Sequence, residues 1–182
     1  MALLSKADIT AALQRLGKLA LQDGYEVELL AVGGTVMVLG YDARLATHGI
    51  DAIILAPEAA HLVRTLAAEI AQEFGWPDDW LNDGAKGFVV GISEGPTLLA
   101  APGITVKQPT VAQLLAMKLS AWRDDVDISD AEYLLRVLLD ENSPAVSQEQ
   151  IWTMVEPYLT PGDELKASYA FLDLWENRDG KD

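Results

Sequence analysis

Residues Ala31–Leu55, AVGGTVMVLGYDARLATHGIDAIIL, decide how this chain is read. The stretch opens on the end of an apolar run and a Gly33-Gly34 pair. A segment over Thr35–Leu39 follows that suits a short helix or further strand. A loop carries Arg44 and Thr47, and an apolar strand over Ile50–Leu55 carries one carboxylate, Asp51. Strands alternate faces, so Gly49, Asp51 and Ile53 share one side. An acid in such a strand is costly to bury unless a metal, a cation or water at the strand's end meets it. Adjacent glycines after a strand let backbone amides approach a phosphate, and alone they read equally as an ordinary tight turn. They form neither a dinucleotide fingerprint nor a Walker A loop, because the later glycines and the Gly-Lys-Ser/Thr are missing.

Upstream, Met1–Leu21 reads as a helix with a Ser5/Asp8 capping box, and Tyr25–Val32 as a strand. Downstream, Pro57 suits a first helical position. Apolar residues at 59, 62, 63, 66, 67, 70 and 74 predict an amphipathic helix over Glu58–Phe74. Trp76–Gly87 reads as a compact aromatic-acidic segment with one helical turn. Phe88–Ile92, Thr97–Ala100 and Ile104–Gln108 read as strands. Then the pattern turns helical: Thr110–Trp122, a helix capped by Ser129 with Glu132 and reaching Asp140, one capped by Ser147 with Gln150, and one opened by Thr160-Pro161 and ending near Asn177. The expected fold is α+β: a small mixed sheet with helices over residues 1–108, and a helical part, 109–182, packed on it.

The totals narrow the function. Half of the 182 residues are hydrophobic, enough for a full core. No apolar run approaches the length of a membrane span, and Lys6 is too isolated for a signal peptide. The absence of cysteine removes disulfides, thiolate zinc sites and cysteine nucleophiles, and fits a cytoplasmic protein. A net charge of −15 argues against an extended nucleic-acid surface. It leaves room for a small basic cleft, since Arg44, Lys86, Lys107, Lys118 and Arg123 lie in the central part of the chain.

A second set of residues sits in the helical half. Lys118 falls in the apolar arc of its helix, among Val111, Leu114, Leu115, Leu119 and Trp122. A lysine there either snorkels to the edge or faces an anionic partner, for which Asp51 is available. Arg123-Asp124 and Asp127 follow; on spacing alone the acids read as a helix connection with Asp127 or Ser129 as cap. His48 and His61 match no catalytic or metal-ligand spacing. The aromatic residues Trp152, Tyr158, Tyr169, Phe171 and Trp175 read as core, and any exposed part of them would suggest a homo-oligomer.

Together, Val32-Gly33-Gly34, Arg44, Thr47 and Ile50-Asp51 resemble the glycine-pair-to-acid motif of the minimal nucleotidyltransferase fold, in the DNA polymerase beta-like superfamily. LLAMKLSAWRDDVDI (Leu114–Ile128) is similar to the lysine-helix and arginine–acid–acid motif of abortive-infection-type nucleotidyltransferase-like bacterial proteins. Trp80-Leu81-Asn82-Asp83 resembles a segment of an uncharacterised branch of that group. The resemblance implies Mg²⁺-dependent transfer of a nucleotidyl group from a nucleoside triphosphate, with Gly33 and Gly34 at the phosphates, Asp51 as a catalytic, metal-binding acid and the helix lysine Lys118 as a catalytic and nucleotide-binding residue. Arg44, Thr47, Arg123, Asp124 and Asp127 would complete the nucleotide site. It also allows an antitoxin-like protein partner. The family's first metal acid falls on Gly49, which offers no ligand, leaving Asp42, Asp83 or Glu94 as substitutes. The alternative is a catalytically degenerate relative that binds a nucleotide or a protein.

Overall fold

The computed structural model describes residues 3–143 and 146–178. It is mixed α+β and divides into two compact units, Met1–Lys86 with Glu94–Pro109, and Gly87–Ser93 with Thr110–Asp182. The expected helix start at Met1 falls outside the described residues.

The first unit is built on a five-stranded mixed sheet. Its strands are β2 (Val27–Ala31), β4 (Ile50–Ala56), β5 (Leu81–Asn82), β6 (Thr97–Ala101) and β7 (Ile104–Lys107), in the order β5-β4-β2-β7-β6. β2 runs antiparallel to β4 and parallel to β7, and β5 runs parallel to β4. A two-stranded ribbon pairs β1 (Leu4–Ser5) with β3 (Ala46–Thr47). Three helices belong to this unit: α1 (Lys6–Gln22), α2 (Gly33–Leu39) and α3 (Ala60–Phe74). The Ser5/Asp8 capping box forms as expected. α1 and α3 turn Leu13, Leu16, Val63 and Ile70 into a core shared with Leu29, Leu30 and Ile50. Fully burying each such side chain contributes roughly 1.5–3 kcal/mol.

Several expected elements differ. The ambiguous Thr35–Leu39 segment is helical, and the helix begins at Gly33 itself. Pro57 precedes α3 rather than opening it: it follows a cis peptide bond at the end of β4, and the helix starts at Ala60. The segment around Trp80 contributes β5, whose two residues are held by what flanks them. The buried Trp80 indole donates to the Ala67 carbonyl at 2.8 Å, and the Trp80 carbonyl accepts from the Ile50 amide at 2.6 Å. A 3-10 turn (Gly84–Phe88) and irregular chain occupy the place of the expected strand at Phe88–Ile92.

The second unit is helical: α4 (Val111–Ala121), α5 (Asp125–Glu141), α6 (Gln148–Val155) and α7 (Glu164–Asn177). Nearly every residue of α4 is buried, the buried polar Gln113 among them. Gln113 accepts from the amide and hydroxyl of Ser93 at 2.9 and 2.5 Å and donates to the Val90 and Gly91 carbonyls at 3.0 Å. Those bonds satisfy a side chain that would otherwise be costly inside the core. α5 starts earlier than expected. Asp124 is its cap, accepting from the amides of Val126 and Asp127 at 3.1 and 3.0 Å, and Ser129 lies within the helix. The Ser147/Gln150 box opens α6 as expected, while α7 begins at Glu164, after Thr160-Pro161.

Candidate functional site

The expected site residues fall into two clusters, one in each unit. The first gathers where β2 ends and β4 begins. The chain leaves β2 through Val32, whose amide donates to the Asp51 carbonyl at 2.9 Å. It turns at Gly33, whose φ of +59° is a left-handed conformation that favours glycine. That turn brings bare backbone against the acid: a Cβ on Gly33 would lie 3.4 Å from Asp51 Oδ2. On Gly34 it would lie 2.8 Å from Thr47 Oγ1 and 3.3 Å from Arg44 Nη1. The bare backbone of the glycine pair thus lies against a carboxylate, a guanidinium and a hydroxyl. All five residues are half-buried.

Local structure explains how this arrangement is held. Pairing of β1 with β3 sets Thr47 opposite Leu4, and an ion pair of 2.7 Å joins Lys6 to Asp42 in the same loop. Thr47 donates to the Gly49 carbonyl at 3.3 Å. Thr35 is fully buried, and its hydroxyl accepts from the Asp51 amide at 3.1 Å. Sequence reasoning passed over Thr35, although its place directly after the glycine pair marks it as the residue that α2 turns back toward β4.

The other acids named as substitutes are engaged or placed elsewhere. Asp42 pairs with Lys6, and Asp83 pairs with Arg64 at 3.2 Å. Glu94 is exposed. Gly49 is closely packed: a Cβ there would meet the Trp80 carbonyl oxygen at 3.2 Å. The residue in register with Asp51 on β5 is Asn82.

The second cluster is a buried ion-pair group on α4 and α5. Lys118 Nζ lies 2.8 Å from Asp127 Oδ1 and 2.7 Å from Asp130 Oδ2, and Arg123 Nε lies 3.0 Å from Asp127 Oδ2. The side chains of Lys118, Asp127 and Asp130 are 12, 4 and 5% exposed, whereas Arg123 is 67% exposed. Of the two readings of Lys118, the one with an anionic partner holds, and the acids that meet it are Asp127 and Asp130 on α5 rather than the Asp51 that the sequence offered. Asp130 went unnoticed, yet it stands three residues from Asp127 on the same helix face. Burial pushes the Asp127 carboxyl upward, but hydrogen bonds from Lys118 and Arg123 outweigh it and hold it below the ordinary carboxylate value. The Arg123 guanidinium also sits 5.9 Å from the centre of the Phe88 ring.

Chemically the clusters differ. Around Gly33-Gly34, cation, hydroxyl and backbone converge beside a carboxylate, a set suited to a polar ligand with anionic groups. Mg²⁺ takes oxygen ligands and leaves part of its shell to water and phosphate. Asp51 with neutral oxygens nearby fits a cation held jointly with a ligand. Among the described residues, no three acidic or histidine side chains gather to hold a metal unaided.

Fold and site together define an α+β protein with a glycine-lined, single-acid strand end. No family model matches the chain, and no curated protein and no solved structure matches it.

Proposed function

We propose that this protein binds a nucleoside triphosphate with Mg²⁺ at Gly33-Gly34, Arg44, Thr47 and Asp51, as a nucleotidyltransferase-like enzyme that transfers the nucleotidyl group to an acceptor hydroxyl. The observation that carries the reading is the convergence of Asp51, Arg44 and Thr47 on the bare backbone of the glycine pair. Arg44 presents a fork suited to phosphate oxygens, and Thr47 adds a hydroxyl donor. The glycines let the chain's amides come close to the same groups. Asp51 is the protein carboxylate for the cation, which would offset phosphate charge. In the transfer, the acceptor oxygen bonds to the α-phosphorus, the bond to the bridging oxygen breaks and pyrophosphate leaves with the electron pair. The hydroxyl proton passes to solvent.

Lys118 enters this reading as the residue that fixes α4 to α5, with Arg123, Asp124 and Asp127 as its framework. A second reading, nucleotide or protein binding without transfer, is favoured by Gly49. The tight packing against the Trp80 carbonyl leaves no place for another acid there without rearrangement.

Titration calorimetry with each nucleoside triphosphate and Mg²⁺ tests the binding. Labelled-nucleotide transfer to candidate acceptors, beside Asp51→Asn, tests the chemistry. Binding with transfer that Asp51→Asn abolishes supports the enzyme. Nucleotide binding without transfer supports the second reading, and no binding of any nucleotide overturns the enzyme and leaves only protein binding.

A further inference from the structure

Trp80-Leu81-Asn82-Asp83 has no role in the site described so far, and the sheet supplies one. β5 pairs in parallel with β4 at two positions, Ile50 with Leu81 and Asp51 with Asn82. Residues in register on neighbouring strands present their side chains to the same face, about 5 Å apart at Cβ. Two independent distances agree. The point a Cβ on Gly84 would occupy lies 2.9 Å from Asn82 Oδ1 and 3.7 Å from Asp51 Oδ1. A Cβ on Gly49 would stand 3.4 Å from Asn82 Nδ2. The amide thus lies beside both the acid and the glycine where a second acid was expected.

The orientation of the amide is set by its neighbours. Asn82 Nδ2 donates to the Asp79 carbonyl at 3.3 Å, and Oδ1 accepts from the Gly84 amide at 2.8 Å. An amide oxygen has two lone pairs, so one bond from Gly84 leaves it a further acceptor site. Gly84, having no side chain, keeps the approach to both oxygens open.

We infer that Asn82 is the second protein oxygen of the cation site at Asp51, contributing an amide oxygen where Gly49 contributes nothing. The inference rests on the proposed nucleotide site. One carboxylate and one amide make a weak pair of hard ligands, so the divalent cation binds with the nucleotide and only feebly without it.

The test uses Mn²⁺ binding followed by electron paramagnetic resonance, with and without nucleoside triphosphate, on wild type, Asn82→Ala and Asn82→Asp. The ligand role predicts opposite signs. Asn82→Ala weakens Mn²⁺ binding in the presence of nucleotide by about tenfold or more, and Asn82→Asp strengthens Mn²⁺ binding without nucleotide by a similar factor. Asn82→Asp combined with Asp51→Asn loses that gain. A role limited to holding Asp79 and Gly84 predicts unchanged Mn²⁺ binding with nucleotide in the folded Asn82→Ala protein, and that result, or no gain in Asn82→Asp, overturns the inference. If wild type binds no nucleotide, the proposed function fails. The gain of Mn²⁺ binding by Asn82→Asp, or its absence, still decides whether residue 82 faces the cation site.

Discussion

The two charged clusters are built on opposite principles. At Lys118, nearly buried ions are matched charge for charge: one ammonium lies against two aspartates, and an arginine closes on one of them. At Asp51, half-buried polar groups surround two residues that have no side chains. A buried, compensated cluster resists change, because removing one member strands the others in a poor solvent. Groups arrayed around bare backbone leave that backbone open to a ligand. The comparison teaches that a lysine in an apolar helical arc is weak evidence for catalysis once its counter-ions are found.

Stability measurements give the harshest test of that contrast. Lys118→Met should lower unfolding free energy in urea by about 3–5 kcal/mol, since the buried Asp127 and Asp130 lose the ammonium that both of them face. Should Lys118→Met unfold like wild type and lose nucleotide binding alone, the contrast fails. Gly34→Ala addresses the other cluster. Its methyl group would enter the space beside Thr47 and Arg44. Nucleotide affinity should fall about tenfold, roughly 1.4 kcal/mol, while stability changes less. Gly33→Ala should cost roughly 1–2 kcal/mol of stability, because its left-handed backbone penalises any Cβ. Unchanged stability there would mean that the turn relaxes.

The smallest effect is in pH. Asp127 has its carboxyl held below the ordinary value of 3.8, so it contributes stability that is present above that value. The contribution disappears as pH falls below 3.8 toward the lowered folded value. Comparing acid unfolding of wild type with that of Asp127→Asn checks the sign: the variant should start less stable and lose less between pH 5 and pH 3. A steeper acid loss in the variant would contradict it.

How far these features could be read from sequence depends on what holds each one. Ser5 with Asp8 and Ser147 with Gln150 announced their helices because a capping box is made within four residues. The same logic misplaced the start of α5, where Ser129 with Glu132 repeats the pattern while Asp124 does the capping. Leu81–Asn82 gave no strand signal, since its two residues are strand only through pairing with β4 and the anchoring of Trp80 on α3. Gly33, Gly34, Arg44, Thr47 and Asp51 were joined by the family resemblance rather than by spacing, and they do lie close together in the fold. Thr35 and Asn82 were missed because hydroxyl and amide side chains are common in turns; the start of α2 sets the one beside Asp51 and strand register the other. The ribbon of β1 with β3, which positions Thr47, joins residues far apart in sequence and left no local trace.

The central claim is that the Asp51 cluster is a nucleotide site and the Lys118 cluster is architecture. Calorimetric titration of nucleoside triphosphate with Mg²⁺ into wild type and Asp51→Asn tests it most directly, with urea unfolding of both proteins alongside. The account predicts saturable binding to wild type and loss of that binding in an Asp51→Asn protein that still unfolds cooperatively. Equal affinity of both proteins for the nucleotide would contradict it.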